Sequence, residues 1–147
     1  MLKTVSSLPE SLENLAQEVI GCCLAVHKEL GPGLLESVYP RAVEIELKER
    51  GISFEVEKPL PVSYRGQLLC HQRLDMFVDG RLVLELKSVE ALHPIHVAQV
   101  ISYLRLTRSR LGLLINFNVP RLVDGVKRLI NPRASGRSRS GGAARVD

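Results

Sequence analysis

No stretch of this 147-residue chain approaches the ~18 consecutive apolar residues that mark a membrane span. The opening residues, Met1-Leu2-Lys3-Thr4-Val5-Ser6-Ser7, lack the apolar core of a secretory leader. Cysteine is scarce: Cys22 and Cys23 are adjacent, about 100° apart if helical, and Cys70 is distant. That spacing matches neither zinc nor iron–sulfur ligation. The three are expected as small buried hydrophobes in a reducing compartment. Together these absences point to a cytoplasmic protein that stays off membranes. Excess charge is scarce too. The net charge is +4, but residues 131–147 hold Arg133, Arg137, Arg139 and Arg145 against Asp147, which leaves +1 for residues 1–130. Any surface for nucleic acid must therefore come from arrangement and not from surplus. There is no internal repeat. What is present, 45% apolar and 24% charged residues over the length of one domain, is an ordinary globular composition with enough chain for a core.

Periodicity divides residues 1–130 into elements. Ser7-Leu8-Pro9-Glu10 reads as a capping box with proline in the first turn. Leu12, Leu15, Ala16, Val19, Ile20, Cys23 and Val26 follow at helical spacing, up to Gly31-Pro32-Gly33. A second helix is predicted from about Leu35 to Arg50, ending at Gly51, with Val38, Ala42, Ile45 and Tyr39 on its apolar side and Pro40 near its start. Ile52 to Val56 alternates as a strand. Pro59 and Pro61 make the next piece, to Tyr64, an edge or bent strand. Arg65-Gly66 turns into a strand from Gln67 to Val78, and another runs from Arg81 to Ser88. His93–Leu106 has a helical pattern, Leu111–Asn116 that of a buried strand, and Pro120–Ile130 that of a closing helix. The Ser/Gly/Arg-rich tail, 131–147, reads as disordered. The order α-α-β-β-β-β-α-β-α predicts a mixed sheet with helices on its faces.

Asp75 and, ten residues later, Glu85-Leu86-Lys87 stand out. Strand alternation puts Leu74, Met76 and Val78 on one face and Arg73, Asp75 and Phe77 on the other. On the next strand Leu82, Leu84 and Leu86 oppose Val83, Glu85 and Lys87. Matching apolar with apolar brings Asp75, Glu85 and Lys87 to one face. A two-residue Asp79-Gly80 turn would pair Val78 with Arg81 and separate the carboxylates. A three-residue loop with Gly80 left-handed pairs Phe77 with Arg81 and keeps them together. A three-residue loop or a bulge is therefore predicted, because a one-residue slip would undo the cluster.

Two hard carboxylates suit Mg²⁺ or Mn²⁺, with the Leu86 carbonyl as a further ligand and water for the rest. Such a metal polarises a phosphate oxygen and acidifies a bound water. Lys87 is placed to orient that water or to stabilise transition-state charge. Gln99 and Tyr103, four apart, share one helix face and could hold a phosphate or base or hydrogen-bond the lysine. Glu36, at the start of the second helix, suits the positive end of the helix dipole and could also reach a metal. His93 and His96, without a third soft ligand, make no zinc site.

These residues together resemble the PD-(D/E)xK nuclease superfamily and, within it, the GxxExxxY proteins. Gly31-Pro32-Gly33-Leu34-Leu35-Glu36-Ser37-Val38-Tyr39 is similar to that branch's signature, although two residues and not three separate Glu36 from Tyr39. Gln99-Val100-Ile101-Ser102-Tyr103 is similar to the Q-x-x-x-Y element of RecB-like and Cas4-like nucleases, and Leu113–Phe117 to the branch's late strand. Leu74 stands where the superfamily name has proline. The absence of a cysteine cluster means that the Cas4-like iron–sulfur feature is not implied. The resemblance covers roughly residues 10–130. It implies an α/β (α+β) fold with a restriction-endonuclease-like αβββαβ core, a mixed central sheet flanked by helices, in a single domain over residues 1–130. It also implies Asp75 and Glu85 as metal ligands, Lys87 as catalytic lysine, Glu36 as an acid binding metal directly or through water, and Gln99 and Tyr103 as accessory residues near the phosphate. His96, and with less support His27, is a further ligand candidate on the same resemblance.

The function expected is metal-dependent hydrolysis of phosphodiester bonds in DNA or RNA. Arg41, Arg73, Arg105, Arg108, Arg110 and Lys127 are candidates for a phosphate-facing surface. The near-neutral body suits an alternative, a non-catalytic nucleic-acid-binding or protein-interaction module that keeps the fold. A third reading is a structural oligomer, with the Pro59–Tyr64 edge pairing two copies as a homodimer.

Overall fold

The computed structural model describes residues 8–131 and 145–146. Three helices and a six-stranded sheet follow in the order α1 (Glu10–Leu30), α2 (Val38–Glu49), β1 (Phe54–Tyr64), β2 (Gln67–Val78), β3 (Leu82–Lys87), α3 (Pro94–Thr107), β4 (Leu111–Asn116), a 3₁₀ turn (Leu122–Gly125), β5 (Val126–Ile130) and β6 (Arg145–Val146). The sheet runs β1-β2-β3-β4-β5-β6. It is mixed: β3 and β4 are parallel, joined through α3, and every other neighbouring pair is antiparallel. The expected α/β (α+β) architecture, a mixed sheet flanked by helices as in restriction-endonuclease-like proteins, is thus present.

Two apolar layers sandwich the sheet. Leu12, Leu15, Val19, Cys22, Cys23 and Val26 of α1, with Tyr39, Val43 and Leu47 of α2, pack on Met76, Val78, Leu82, Leu84, Leu86, Leu113 and Ile115. On the opposite face Val100, Tyr103 and Leu104 of α3 pack on Leu60, Leu74, Phe77, Val83, Leu114 and Leu129. β3 and β4 are buried along almost their whole length, as their near-continuous apolar runs require. Gly112 brings α3 close to β4, since a Cβ there would stand 3.0 Å from Val100 Cγ1 and 3.1 Å from Leu104 Cδ2.

Several expectations need correction. The segment read as a closing helix, Pro120–Ile130, is a single 3₁₀ turn followed by β5. Its helical spacing loses to pairing with β4, where alternation sends Leu129 to the α3 layer and Arg128 to the α1 layer, there bound in bidentate fashion by Glu13 at 2.8 and 2.9 Å. The two short strands around Pro59 are one strand, β1. It lies at the sheet edge, where two prolines are tolerated. In α2 the buried stripe is Tyr39, Val43 and Leu47, so Ile45 is exposed and Pro40 sits harmlessly in the first turn. The helix ends in a Schellman motif, with Gly51 N–H on the Lys48 carbonyl and Ile52 N–H on that of Leu47. Cys22 and Cys23 are buried, but Cys70 is exposed on β2. The α1 N-cap is Pro9; Ser7 lies outside the described residues, as do residues 132–144 of the tail. Among the described residues no helix is long and apolar enough to cross a membrane.

One packing constraint is sharp. A Cβ on Gly125 would collide with the Asn116 backbone carbonyl. Gly125→Ala is therefore expected to destabilise the fold by about 1–3 kcal/mol, the usual cost of forced overpacking. Gly112→Ala, whose neighbours are the movable ends of side chains, should cost less. Urea unfolding of both variants tests the order.

Candidate active site

The β2–β3 hairpin sets the register of the acids. Asp79 and Gly80 both take positive φ, 53° and 65°, and Arg81 N–H donates to the Val78 carbonyl at 3.1 Å. This is the pattern of a type I′ turn, for which Asp-Gly is a preferred sequence. Arg81 then adds one residue before the ladder starts, so that Val78 pairs with Leu82, Phe77 with Val83 and Met76 with Leu84. The expected three-residue loop is found one residue further along, at 79–81 instead of 78–80, so that Phe77 pairs with Val83, two positions beyond Arg81. The shift in pairing is an even number, so the side-chain faces are unchanged.

Past Met76–Leu84 the backbone ladder stops, and the next residues on each strand are Asp75 and Glu85. Asp75 N–H donates to Glu85 Oε1 at 2.8 Å, and Leu86 N–H donates to Asp75 Oδ2 at 3.1 Å. Each carboxylate thus satisfies a backbone donor of the other strand. Beyond this point β2 pairs with β1 alone, and Gln67 to Arg73 are exposed. The acids sit where the sheet forks. The strand alternation breaks here as well. Glu57, across from Asp75 on β1, has φ 48°, and Leu74 packs with Phe77 in the α3 layer instead of with Met76 and Val78.

Electrostatically the pair is short of positive charge. Glu85 is buried, and its carboxyl is pushed up to about 8, first by burial and then by the charge on Asp75. Lys87 offsets this in part from the same strand face, with Nζ 3.9 Å from Glu85 Oε2. Tyr103 comes from α3. Its phenol is raised to about 12 by burial, then by the charges of Glu85 and Asp75, while a hydrogen bond from Gln99 works the other way. It therefore stays a neutral O–H donor over any ordinary pH. Asp75, Glu85, Lys87, Gln99 and Tyr103 are thus one neighbourhood.

The Leu86 carbonyl belongs to it by alternation. Lys87 C=O points toward β4, where it accepts Phe117 N–H at 2.8 Å. The carbonyl of the preceding residue points the other way, toward the fork, on the side where Leu86 N–H meets Asp75.

Glu36 stands apart. Its Oε1 accepts Ser88 N–H at 3.0 Å, just past the end of β3. Among the described residues no group of three or more His, Cys, Asp or Glu side chains is gathered for a metal. The exit of β3 is held from further sides. Ser88 Oγ donates to the Leu34 carbonyl at 3.1 Å. Asn116 accepts Val89 N–H at 3.0 Å and donates to the Val89 carbonyl at 2.9 Å. Tyr39 fastens the loop that carries Glu36: its hydroxyl donates to the Gly31 carbonyl at 2.7 Å and accepts Leu34 N–H at 3.1 Å, with its ring stacked on Phe117 at 4.4 Å. In the sequence Tyr39 reads only as part of the apolar side of α2 and of the glycine-rich signature, and Asn116 only as the end of a buried strand. The signal for Asn116 was there, an amide closing an otherwise apolar strand.

The histidines have structural partners. His27 Nε2 bonds the Val119 carbonyl at 2.8 Å. His96 Nδ1 accepts His93 N–H at 2.9 Å and so helps cap α3. Of the candidate cations, Arg41 stands apart from Arg105. Arg41 is exposed on α2 and Arg105 on α3, on opposite layers of the sheet.

The raised Glu85 carboxyl makes a stability prediction. In the unfolded chain it ionises near 4.5, in the fold near 8. Between these values the folded state keeps a proton that the unfolded state has lost, so stability falls as pH rises from about 4.5 to 8 and then levels. Glu85→Gln, which mimics the protonated acid, should flatten that decline. Urea midpoints from pH 5 to 9 in chelator would measure it, and an unchanged slope would assign the decline elsewhere.

A family model of the PD-(D/E)XK nuclease superfamily matches residues 13–129. No curated protein and no solved structure matches the chain.

Proposed function

The chain belongs to the PD-(D/E)XK nuclease superfamily, and we propose that it is a divalent-metal-dependent nuclease that hydrolyses phosphodiester bonds in DNA or RNA at Asp75, Glu85 and Lys87. The observation that carries this reading is the pair of carboxyl groups at the fork of the sheet, each accepting a backbone N–H of the other strand, with a lysine on the same strand face. Superfamily members generally use divalent metal ions, and the donor set fits one. Asp75 and Glu85 supply hard oxygens, the Leu86 carbonyl faces the same side, and the charge of Asp75 beside the buried Glu85 is one that a cation would neutralise. Mg²⁺ or Mn²⁺ bound there would polarise a phosphate oxygen and lower the pKa of a bound water.

The chain's own residues do the rest. Lys87 offers a cation beside the acids, where charge builds up on the phosphate. Tyr103, held neutral and hydrogen-bonded by Gln99, donates to a phosphate oxygen. Glu36 secures Ser88 and thereby the direction in which β3 delivers Lys87, and we assign it a metal contact through water. Burial of Glu85 strengthens each of these interactions by excluding solvent. Within the superfamily we assign the chain to the GxxExxxY branch, on the Gly33…Glu36 signature and the Tyr39 that fastens it.

The near-neutral body favours one other reading, a non-catalytic binding module. Mn²⁺ calorimetry followed by cleavage assays on mixed DNA and RNA separates the two. Asp75→Ala with Glu85→Ala should abolish both metal binding and cleavage. Lys87→Ala should keep metal binding and cut about a hundredfold more slowly, the scale of losing one transition-state donor. Cleavage that survives the double substitution, or no Mn²⁺ binding at millimolar concentration, would reject the nuclease reading.

A further inference from the structure

Beside the acids lies a groove of about 550 Å³, most of whose lining has no part in the reaction. One wall is the solvent side of α3, with Ile95, Gln99, Ser102, Arg105 and Leu106. The other is the arm formed by β1 and β2 beyond the fork, with Val62 and Gln72. The fork creates this arm. Because Asp75 and Glu85 end the β2–β3 ladder, Gln67 to Arg73 continue with β1 only and stand away from the sheet. Gln99 and Tyr103 line the groove and also belong to the acid neighbourhood, so the two spaces are continuous.

We propose that this groove seats one unpaired nucleotide next to the scissile phosphate, so that the protein acts on single-stranded nucleic acid; this rests on the nuclease reading above. Its volume lies in the ~300–1,000 Å³ range of small-ligand sites. That is the scale of a single nucleotide. Its chemistry suits a base. Val62, Ile95 and Leu106 offer apolar surface to a ring face. The amides of Gln72 and Gln99 each present a donor and an acceptor to a base edge. Arg105, at the exposed end of the groove, suits the flanking phosphate. A duplex binder making ~6–10 phosphate contacts needs a broad basic face. Residues 1–130 carry a net charge of only +1. A base held in a pocket needs no such face, because apolar contact and hydrogen bonds supply the affinity.

Fluorescence anisotropy on the full chain, with labelled 12-nucleotide single-stranded DNA and RNA and the matching duplexes, tests this in chelator, so that no metal is involved. Single strands should bind at least about tenfold tighter than duplexes, and the DNA and RNA arms report which sugar is preferred. Ser102→Trp, an exposed position on the groove wall, should weaken single-strand binding by about tenfold or more while circular dichroism stays native. Arg105→Gln should lower the salt slope of binding by about 0.7, the value of one phosphate contact on a single strand. A structural role for Arg105 would leave that slope unchanged. Equal or tighter duplex binding, or full binding by a folded Ser102→Trp, would overturn the groove assignment. Intact single-strand binding with no cleavage of the same strands once Mn²⁺ replaces the chelator would instead overturn the nuclease reading and leave the groove standing.

Discussion

The reciprocal exchange between Asp75 and Glu85 is the constraint on which the other features depend. Each side chain takes a backbone N–H of the opposite strand, so the sheet parts without leaving those donors unsatisfied. That is the condition a strand must meet to leave a sheet at a buried position. The same exchange puts two carboxyl groups against each other in a site where burial disfavours charge. Removing either acid would therefore touch the fold as well as the chemistry. A test of function at these positions is best read with stability measured alongside.

Around the fork, the supporting contacts converge on the exit of β3. Glu36, Asn116 and Ser88 tie Ser88 and Val89 to two neighbouring segments, and Phe117 N–H holds the Lys87 carbonyl. Tyr39 stacks on Phe117 and fastens the loop before α2. Lysine is a long and flexible side chain, so its aim depends on how rigidly its backbone is held. The glycine-rich turn and the late strand are thus two ends of one scaffold that presents Lys87, though they are 80 residues apart.

Much of the site was legible in the sequence because alternation along β3 is regular. Any register that buries Leu82, Leu84 and Leu86 puts Glu85 and Lys87 on the other face, and an even slip of the hairpin does not change that. Helical spacing likewise brings Gln99 and Tyr103 to one face of α3. The segment Pro120–Ile130 misled because its apolar residues fit a helical period, and helix and strand differ there only in what they can pair with. The open side of β4 decided for the strand. The anchoring roles of Tyr39 and Asn116 were not legible because they depend on distant segments, Tyr39 stacking on Phe117 and Asn116 bonding Val89.

The sequence by itself determined the residues of the cluster, the face they share, the two helical stripes of α1 and α3, and the mixed α/β character of the chain. All of these follow from local periodicity, which depends only on neighbours along the chain. The tertiary structure decided that Glu36 rests on Ser88, that the late segment is a strand, and that the arm and α3 enclose a groove beside the acids. Each of these is a contact between segments far apart in sequence, and such contacts are selected by packing and by the need to satisfy buried polar groups, which no local pattern records.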